Sequence, residues 1–251
     1  MDAVIMAAGL GTRLRPHTEK VPKPLLPVRG RPILDWALGA LPKSVDRVIV
    51  VINYHGEQIE QYLRSQTHIP RAEVVWQKEP RGTGDALRSC QERLASRINT
   101  SLFGTENSER NFSGASSFLV CNGDDLYGAA DLARMVTHRA AMLCAPVTEP
   151  EKFGIATTRS DGSLERLVEK PKGLNGEQLA NAGVYTFPLD VFDIELSLSP
   201  RGEYEITQYV SELATRGRVA IERALFWLPI GDVAAWNAAQ QVELDAVLQG
   251  R

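Results

Sequence analysis

Three stretches of this 251-residue chain carry the residue types that could grip a polyphosphate and work on it. The first is Ala7-Ala8-Gly9-Leu10-Gly11-Thr12-Arg13-Leu14-Arg15-Pro16, with Val21-Pro22-Lys23-Pro24-Leu25 close behind. The apolar run Ala3-Val4-Ile5-Met6 ahead of it reads as a buried strand. A strand opening into a glycine-bearing loop turns successive backbone N–H groups toward its carboxyl end, where they form an anion-binding concavity. Arg13, Arg15 and Lys23 add positive charge to the same stretch. A P-loop is excluded, because the chain contains no Gly-Lys pair. A dinucleotide fingerprint also fits poorly: Gly9 and Gly11 match, but Leu14 stands where the third glycine belongs and Pro16 follows.

The second stretch is Asn122-Gly123-Asp124-Asp125, which ends the apolar run 117–121. Ligands of open α/β sheets bind beyond strand carboxyl ends. A carboxylate there can hold Mg²⁺, which takes one or two carboxylates together with phosphate oxygens. Alone, Gly-Asp-Asp would read as a turn; beside a phosphate loop, metal binding at Asp124 is the better reading. The third stretch, Gln77-Lys78-Glu79-Pro80-Arg81-Gly82-Thr83-Gly84, lies between a strand and a helix. Its Gln amide can donate and accept at once, as a pyrimidine edge requires, although a polar strand end is the common alternative. His17, His55, His68 and His138 are scattered, without zinc or nucleophile–base spacing. None is needed for phosphate chemistry, since a phosphate monoester with a second pKa of about 6 is mostly dianionic at neutral pH.

Gly9-Leu10-Gly11-Thr12-Arg13-Leu14-Arg15-Pro16, followed by Pro22-Lys23-Pro24-Leu25-Leu26-Pro27-Val28, closely resembles the signature of the sugar-1-phosphate nucleotidyltransferases. That family includes glucose-1-phosphate thymidylyltransferases and N-acetylglucosamine-1-phosphate uridylyltransferases. The resemblance implies a three-layer α/β/α, Rossmann-like mixed sheet and transfer of a nucleotidyl group from an NTP to a sugar 1-phosphate, with release of pyrophosphate. It implies nucleotide contacts at Ala7, Ala8, Gly9, Gly11, Thr12, Arg13, Gln77, Gly82 and Thr83. Arg13 would steady the pyrophosphate, Lys23 would neutralise the forming bridge, and Asp124 would match the metal-binding aspartate. Phe153-Gly154, Val168-Glu169-Lys170-Pro171 and Asn181-Ala182-Gly183-Val184-Tyr185 resemble the acceptor motifs, which points to Gly154, Glu169, Lys170 and Asn181, with Lys23, around the sugar phosphate. Ala7-Ala8-Gly9 with Gln77 looks like the UTP or dTTP branch. A late Trp-x-Asp-x-Gly pattern departs here, as Trp227-Leu228-Pro229-Ile230-Gly231-Asp232, and proline cannot ligate. Asp232 is then either a substitute metal ligand or the N-cap of the last helix. Gly202-Glu203-Tyr204-Glu205-Ile206-Thr207 also resembles a family segment, without an assignable role. The alternatives are a sugar-nucleotide-binding regulatory protein without turnover, and the same reaction with a purine NTP.

The remaining chain must position these groups. A 43% hydrophobic content supports a sizeable core, and a net charge of −3 argues against nucleic acid or a membrane surface as partner. Cys90, Cys121 and Cys144 are few and far apart, which suggests buried thiols in a reducing cytoplasm. No apolar run nears the roughly 20 residues of a membrane helix. No hexapeptide repeat is visible, so we expect one nucleotidyltransferase domain over 1–251, with a nucleotide half over about 1–125 and an acceptor half over about 126–251. A homo-oligomer is compatible with the sequence. Strands are expected at 46–52, 72–77, 117–121, 142–147, 179–187 and 219–227, with a hairpin of 154–159 and 163–168 about Asp161-Gly162. Helices are expected at 33–41, 57–65, 82–96, 130–140, 189–196, 204–216 and 233–248, and a surface excursion at 97–116. The early strand–helix alternation implies a largely parallel sheet covered on both faces.

Overall fold

The computed structural model describes residues 1–66, 71–102 and 117–248. The first half supplies β1 (Asp2–Ala7), the short hairpin β2 (Pro27–Val28) and β3 (Arg31–Pro32), α1 (Ile33–Gly39), β4 (Arg47–Ile52), α2 (Gly56–Ser65) and β5 (Arg71–Trp76). It continues with α3 (Thr83–Arg88), α4 (Gln91–Leu102) and β6 (Ser117–Asn122). The second half supplies β7 (Leu126–Tyr127), α5 (Ala129–Met135), β8 (Ala141–Val147), β9 (Gly154–Thr158), β10 (Leu164–Glu169) and β11 (Gln178–Pro188). It ends with α6 (Ile206–Arg216), β12 (Ala220–Arg223), β13 (Trp227–Leu228), α7 (Val233–Ala239) and α8 (Asp245–Leu248).

Among the described residues, nine strands from both halves form one mixed sheet. β1, β4, β5 and β6 are parallel; β11 joins β6 antiparallel and continues to β8 and β9. Alternate side chains of each central strand enter opposite faces. Ala3 and Ile5 of β1, Val48 and Val50 of β4, and Leu119 of β6 pack with α1, α2 and α5. Val4, Ile49, Val51, Phe118 and Val120 face the other way, against α3, α4 and α6. This is the expected three-layer α/β/α arrangement. Each fully buried Val, Ile or Leu contributes on the order of 1.5–3 kcal/mol, so doubly covered strands favour continuous apolar runs. Among the described residues no helix is long and apolar enough to cross a membrane. The three cysteines are buried and free, and burial pushes the thiols of Cys90 and Cys144 up to about 12.

Several expected elements are shorter or divided. The helix expected at 82–96 is two, α3 and α4. At the break the Ser89 hydroxyl donates to the Asp85 carbonyl and the Cys90 N–H donates back to Leu87, a tightened turn that serine promotes. The expected strand 219–227 is divided into β12 and β13, because the buried carboxylate of Asp131 accepts the N–H groups of both Leu225 and Phe226. The expected helix 233–248 is divided into α7 and α8; α7 ends at Ala239, where the Gln240 side chain turns to donate to the Pro27 carbonyl and accept from the Arg29 N–H. Residues 189–193 form a 3-10 turn rather than a helix to 196, with Val191, Phe192 and Ile194 all buried. Helix 130–140 is shortened to α5, and helix 204–216 begins at Ile206. Of the expected excursion 97–116, residues 97–102 continue α4, and 103–116 lie outside the described residues. The hairpin of β9 and β10 forms as expected, with Gly162 at φ 77°.

Candidate active site

The parallel register aligns the carboxyl ends of β1, β4, β5 and β6: Ala7 pairs with Ile52, Ile52 with Trp76, and Met6 with Asn122. β4 and β5 lie to one side of β1 and β6 to the other, so the order reverses beside β1. A crevice opens at such switch points. The residues immediately after these strands, 8–13, 77 and 123–125, therefore share one rim.

Of these, residues 8–13, Gln77 and Asp124 line a cleft of about 390 Å³ together with Lys23, Gly82 and Thr83. Every residue that the resemblance placed on the nucleotide, and all three in catalytic roles, face this cleft. The signature loop is built on contacts rather than on glycine alone. Gly11 sits at φ 61°, where a Cβ would lie 3.0 Å from the Thr18 methyl and 3.2 Å from the Lys23 Cβ. The Thr18 hydroxyl donates to the Gly11 carbonyl at 2.8 Å, which fixes the 3-10 turn Thr12–Leu14. Gly9 has no such crowding, and open space lies where its Cβ would be, leaving room for a ligand. The Arg13 guanidinium leans toward Gly231.

Beside the loop, the Gly123 N–H donates to the Met6 carbonyl at 2.9 Å, carrying the β6–β1 ladder one bond past Asn122. Asp124, the next residue and 40% exposed on its side chain, lines the cleft. The buried Lys23 ammonium donates to Asp124 Oδ2 at 2.7 Å. Asp125 is turned inward: it accepts the Ile230 N–H at 3.0 Å and the Trp227 indole N–H at 3.3 Å. Burial first, and then the neighbouring Asp124 carboxylate, raise the Asp125 pKa from 3.8 to about 6, against the opposing pull of Lys23. The folded state therefore keeps a proton that the unfolded chain releases at lower pH. Stability is expected to fall as pH rises from about 4 to about 6 and to level off above. Urea titrations across that interval check this, and Asp125→Asn should flatten the slope.

Gln77 is buried, and its amide N–H groups donate to the Gly82 carbonyl at 3.2 Å and to Asp85 at 2.9 Å. Thr83 lines the cleft while its hydroxyl accepts the Ile206 N–H at 3.0 Å, at the start of α6. Gly82 reaches φ 110° and packs on the backbone of Tyr204. The Tyr204 N–H donates to Arg81 and its carbonyl accepts the Gly84 N–H, both at 2.8 Å. The segment 202–207, which had no assigned role, thus buttresses the Gly82 loop, and Glu203 itself lines the cleft.

The residues that the resemblance places at the acceptor gather separately, on β9, β10 and β11. Gly154 pairs with Glu169, and a Cβ on Gly154 would lie 3.0 Å from the Glu169 carboxylate and 3.8 Å from the Asn181 Cβ. Asn181 is partly spent: its oxygen accepts the Gly183 N–H at 3.0 Å and its nitrogen donates to the Tyr185 hydroxyl at 2.7 Å. One amide hydrogen is left to offer. Gly183 packs directly on Asn122, so this group abuts the cleft wall. Lys170 follows β10 at φ 44° and is exposed. Arg201 forms a two-pronged ion pair with Glu205 at 2.7 and 3.1 Å and stands 3.8 Å from Glu169. Asp232 is the N-cap of α7, accepting the Ala235 N–H at 2.8 Å, and does not line the cleft. Sequence reasoning passed over Asp85, Asp125, Arg201 and Glu203. For Glu203, the noted segment 202–207 was the available signal.

A profile of the nucleotidyl transferase family matches residues 2–245. The chain belongs to that family. A bifunctional protein GlmU of Methanococcus maripaludis is 32% identical over 92% of this chain and 51% of its own length. A mannose-1-phosphate guanyltransferase beta-A of Xenopus laevis is 32% identical over 99% of this chain and 66% of its own. The chain spans about half the length of the GlmU relatives it matches. A UDP-glucose pyrophosphorylase of Acinetobacter baumanii superposes with a TM-score of 0.75 at 20% identity, covering 95% of this chain and 91% of that one, which establishes the shared fold. The family expected from the signature at 9–28 is thus the family to which the chain belongs.

Proposed function

We propose that this member of the family transfers a nucleotidyl group from UTP or dTTP to a sugar 1-phosphate, giving an NDP-sugar and pyrophosphate. One observation carries the reading: the signature loop, Lys23, Gln77, Gly82 and Asp124, distant in sequence, line the same cleft. The sugar 1-phosphate dianion attacks the α-phosphorus in line. A new P–O bond forms as the bond to the β-phosphate bridging oxygen breaks, and pyrophosphate departs with that electron pair. No general base is required, so the protein aligns and neutralises charge.

In this scheme the N–H groups around Gly9 and Gly11 cradle the triphosphate, Arg13 meets the departing pyrophosphate, and Lys23 lies against the α-phosphate. Gln77 and Gly82–Thr83 receive the base, and Gly154, Glu169, Lys170 and Asn181 hold the sugar phosphate. Asp124 is an accessible carboxylate beside the phosphate loop, a donor that suits Mg²⁺, which takes one or two carboxylates together with phosphate oxygens. Magnesium bound there would neutralise phosphate charge. Asp232, already engaged as a cap, would be a second ligand only by a further oxygen.

Magnesium-dependent pyrophosphate release from four NTPs against a panel of sugar 1-phosphates tests the proposal. Turnover only with UTP or dTTP is the expected result. Preference for a purine NTP would move the chain toward the guanyltransferase relatives, and binding without turnover would make it a sensor. Arg13→Ala is expected to reduce kcat by about 10²-fold, the usual loss of one charge-stabilising group. Unchanged kcat would remove Arg13 from the leaving-group site.

A further inference from the structure

Gln77 is held at every polar atom but one. Its backbone N–H donates to Ile52 at 2.9 Å and its carbonyl accepts from the Asn53 side chain at 2.7 Å. Both hydrogens of its side-chain amide are committed, one to the Gly82 carbonyl and one to Asp85 Oδ2. Among the described residues no group donates to its side-chain oxygen. Asp85 is in turn held: Arg81 donates to its other oxygen at 3.3 Å, and its carbonyl accepts from Ser89. The partners of the Gln77 amide nitrogen, a carbonyl and a carboxylate, can only accept. Flipping the amide would turn its oxygen against both. The bond to Asp85 is charge-assisted and so the stronger of the two.

We infer that Asp85 is a specificity-determining positioning residue, which locks the Gln77 amide so that the base site offers an acceptor and no donor. This rests on the reading that the nucleobase docks against Gln77. An acceptor-only edge suits a ring N–H, as in uracil and thymine at N3. It opposes the lone pair that cytosine carries at the same atom. Guanine also presents a ring N–H, so Asp85 separates bases by hydrogen-bond polarity and leaves ring size to other walls of the cleft. An Asn at position 85 can donate as well as accept, which removes the charged half of the lock and admits the flipped amide.

The test is the ratio of kcat/KM, and of calorimetric Kd, for UTP against CTP in wild type, Asp85→Asn, Asp85→Glu and Gln77→Ala. Each ratio is read within one preparation, so any unfolded fraction cancels. Wild type should favour UTP. Asp85→Asn should lower the UTP:CTP ratio roughly tenfold, the effect of a single mismatched buried hydrogen bond, mainly through KM. Asp85→Glu, which keeps the carboxylate, should retain most of the preference. An unchanged ratio in Asp85→Asn, an equal loss of both nucleotides, or no UTP preference in wild type overturns the lock. If Gln77→Ala collapses the ratio while Asp85→Asn does not, the base site stands and the lock is wrong. If neither variant changes it, the base does not dock on Gln77.

Discussion

Lys23→Ala is expected to lower kcat by about 10²–10³-fold while leaving the protein folded. The ammonium is buried at the cleft, 2.7 Å from Asp124 and 4.0 Å from Asp125. In that position it faces both carboxylates, and a phosphate entering the cleft would meet it. Its removal leaves an incoming dianion facing two acidic groups with one fewer cation. Asp124 is exposed enough to rehydrate, so the lost ion pair should cost little stability. Lys23→Arg should recover little activity, because a planar guanidinium does not replace a compact point charge in a packed site. Single-turnover rates with saturating NTP, together with a thermal melt, check both halves. A variant that turns over like wild type would remove Lys23 from the chemistry.

Gly82→Ala should destabilise the protein by about 2–4 kcal/mol, combining a strained backbone with an overpacked contact. At φ 110° an L side chain is disfavoured, and its Cβ would strike the Tyr204 carbonyl and lie 2.9 Å from the Tyr204 nitrogen. That backbone cannot easily retreat, since Arg81 and Gly84 hold it by hydrogen bonds on either side. The change also displaces a carbonyl that holds the Gln77 amide, so affinity for UTP should fall with stability. Gly9→Ala is the comparison: nothing lies within 4 Å of its added Cβ, and the melting temperature should hardly change. Equal melting of the two variants would contradict the packing of 81–84 on 203–206.

The legibility of the chain followed the range of the interactions involved. The stretch 46–52, apolar from Val48 onward, appears as β4 over Arg47–Ile52, because a strand is apolar wherever both of its faces are covered. The cap at Asp232 was readable as one of two roles, since capping involves residues three apart. The breaks after Arg223 and after Ala239 were not readable. Asp131 captures the N–H of Leu225 from 94 residues away, and Gln240 turns to Pro27 over 213. Neither contact leaves a trace in hydrophobic periodicity.

What the sequence determined by itself is the rim of the cleft. Parallel strands align their carboxyl ends, so motifs following β1, β5 and β6 had to meet on one edge of the sheet whatever the rest of the chain did. Tertiary structure alone decided how each group there spends its bonds. It set Lys23 on Asp124 across 101 residues, turned Asp125 inward to Trp227, and committed Asn181 to Tyr185 and Gly183. A side chain has a small number of hydrogen-bonding atoms, and which of them remain for a ligand depends on neighbours in space that spacing along the chain does not encode.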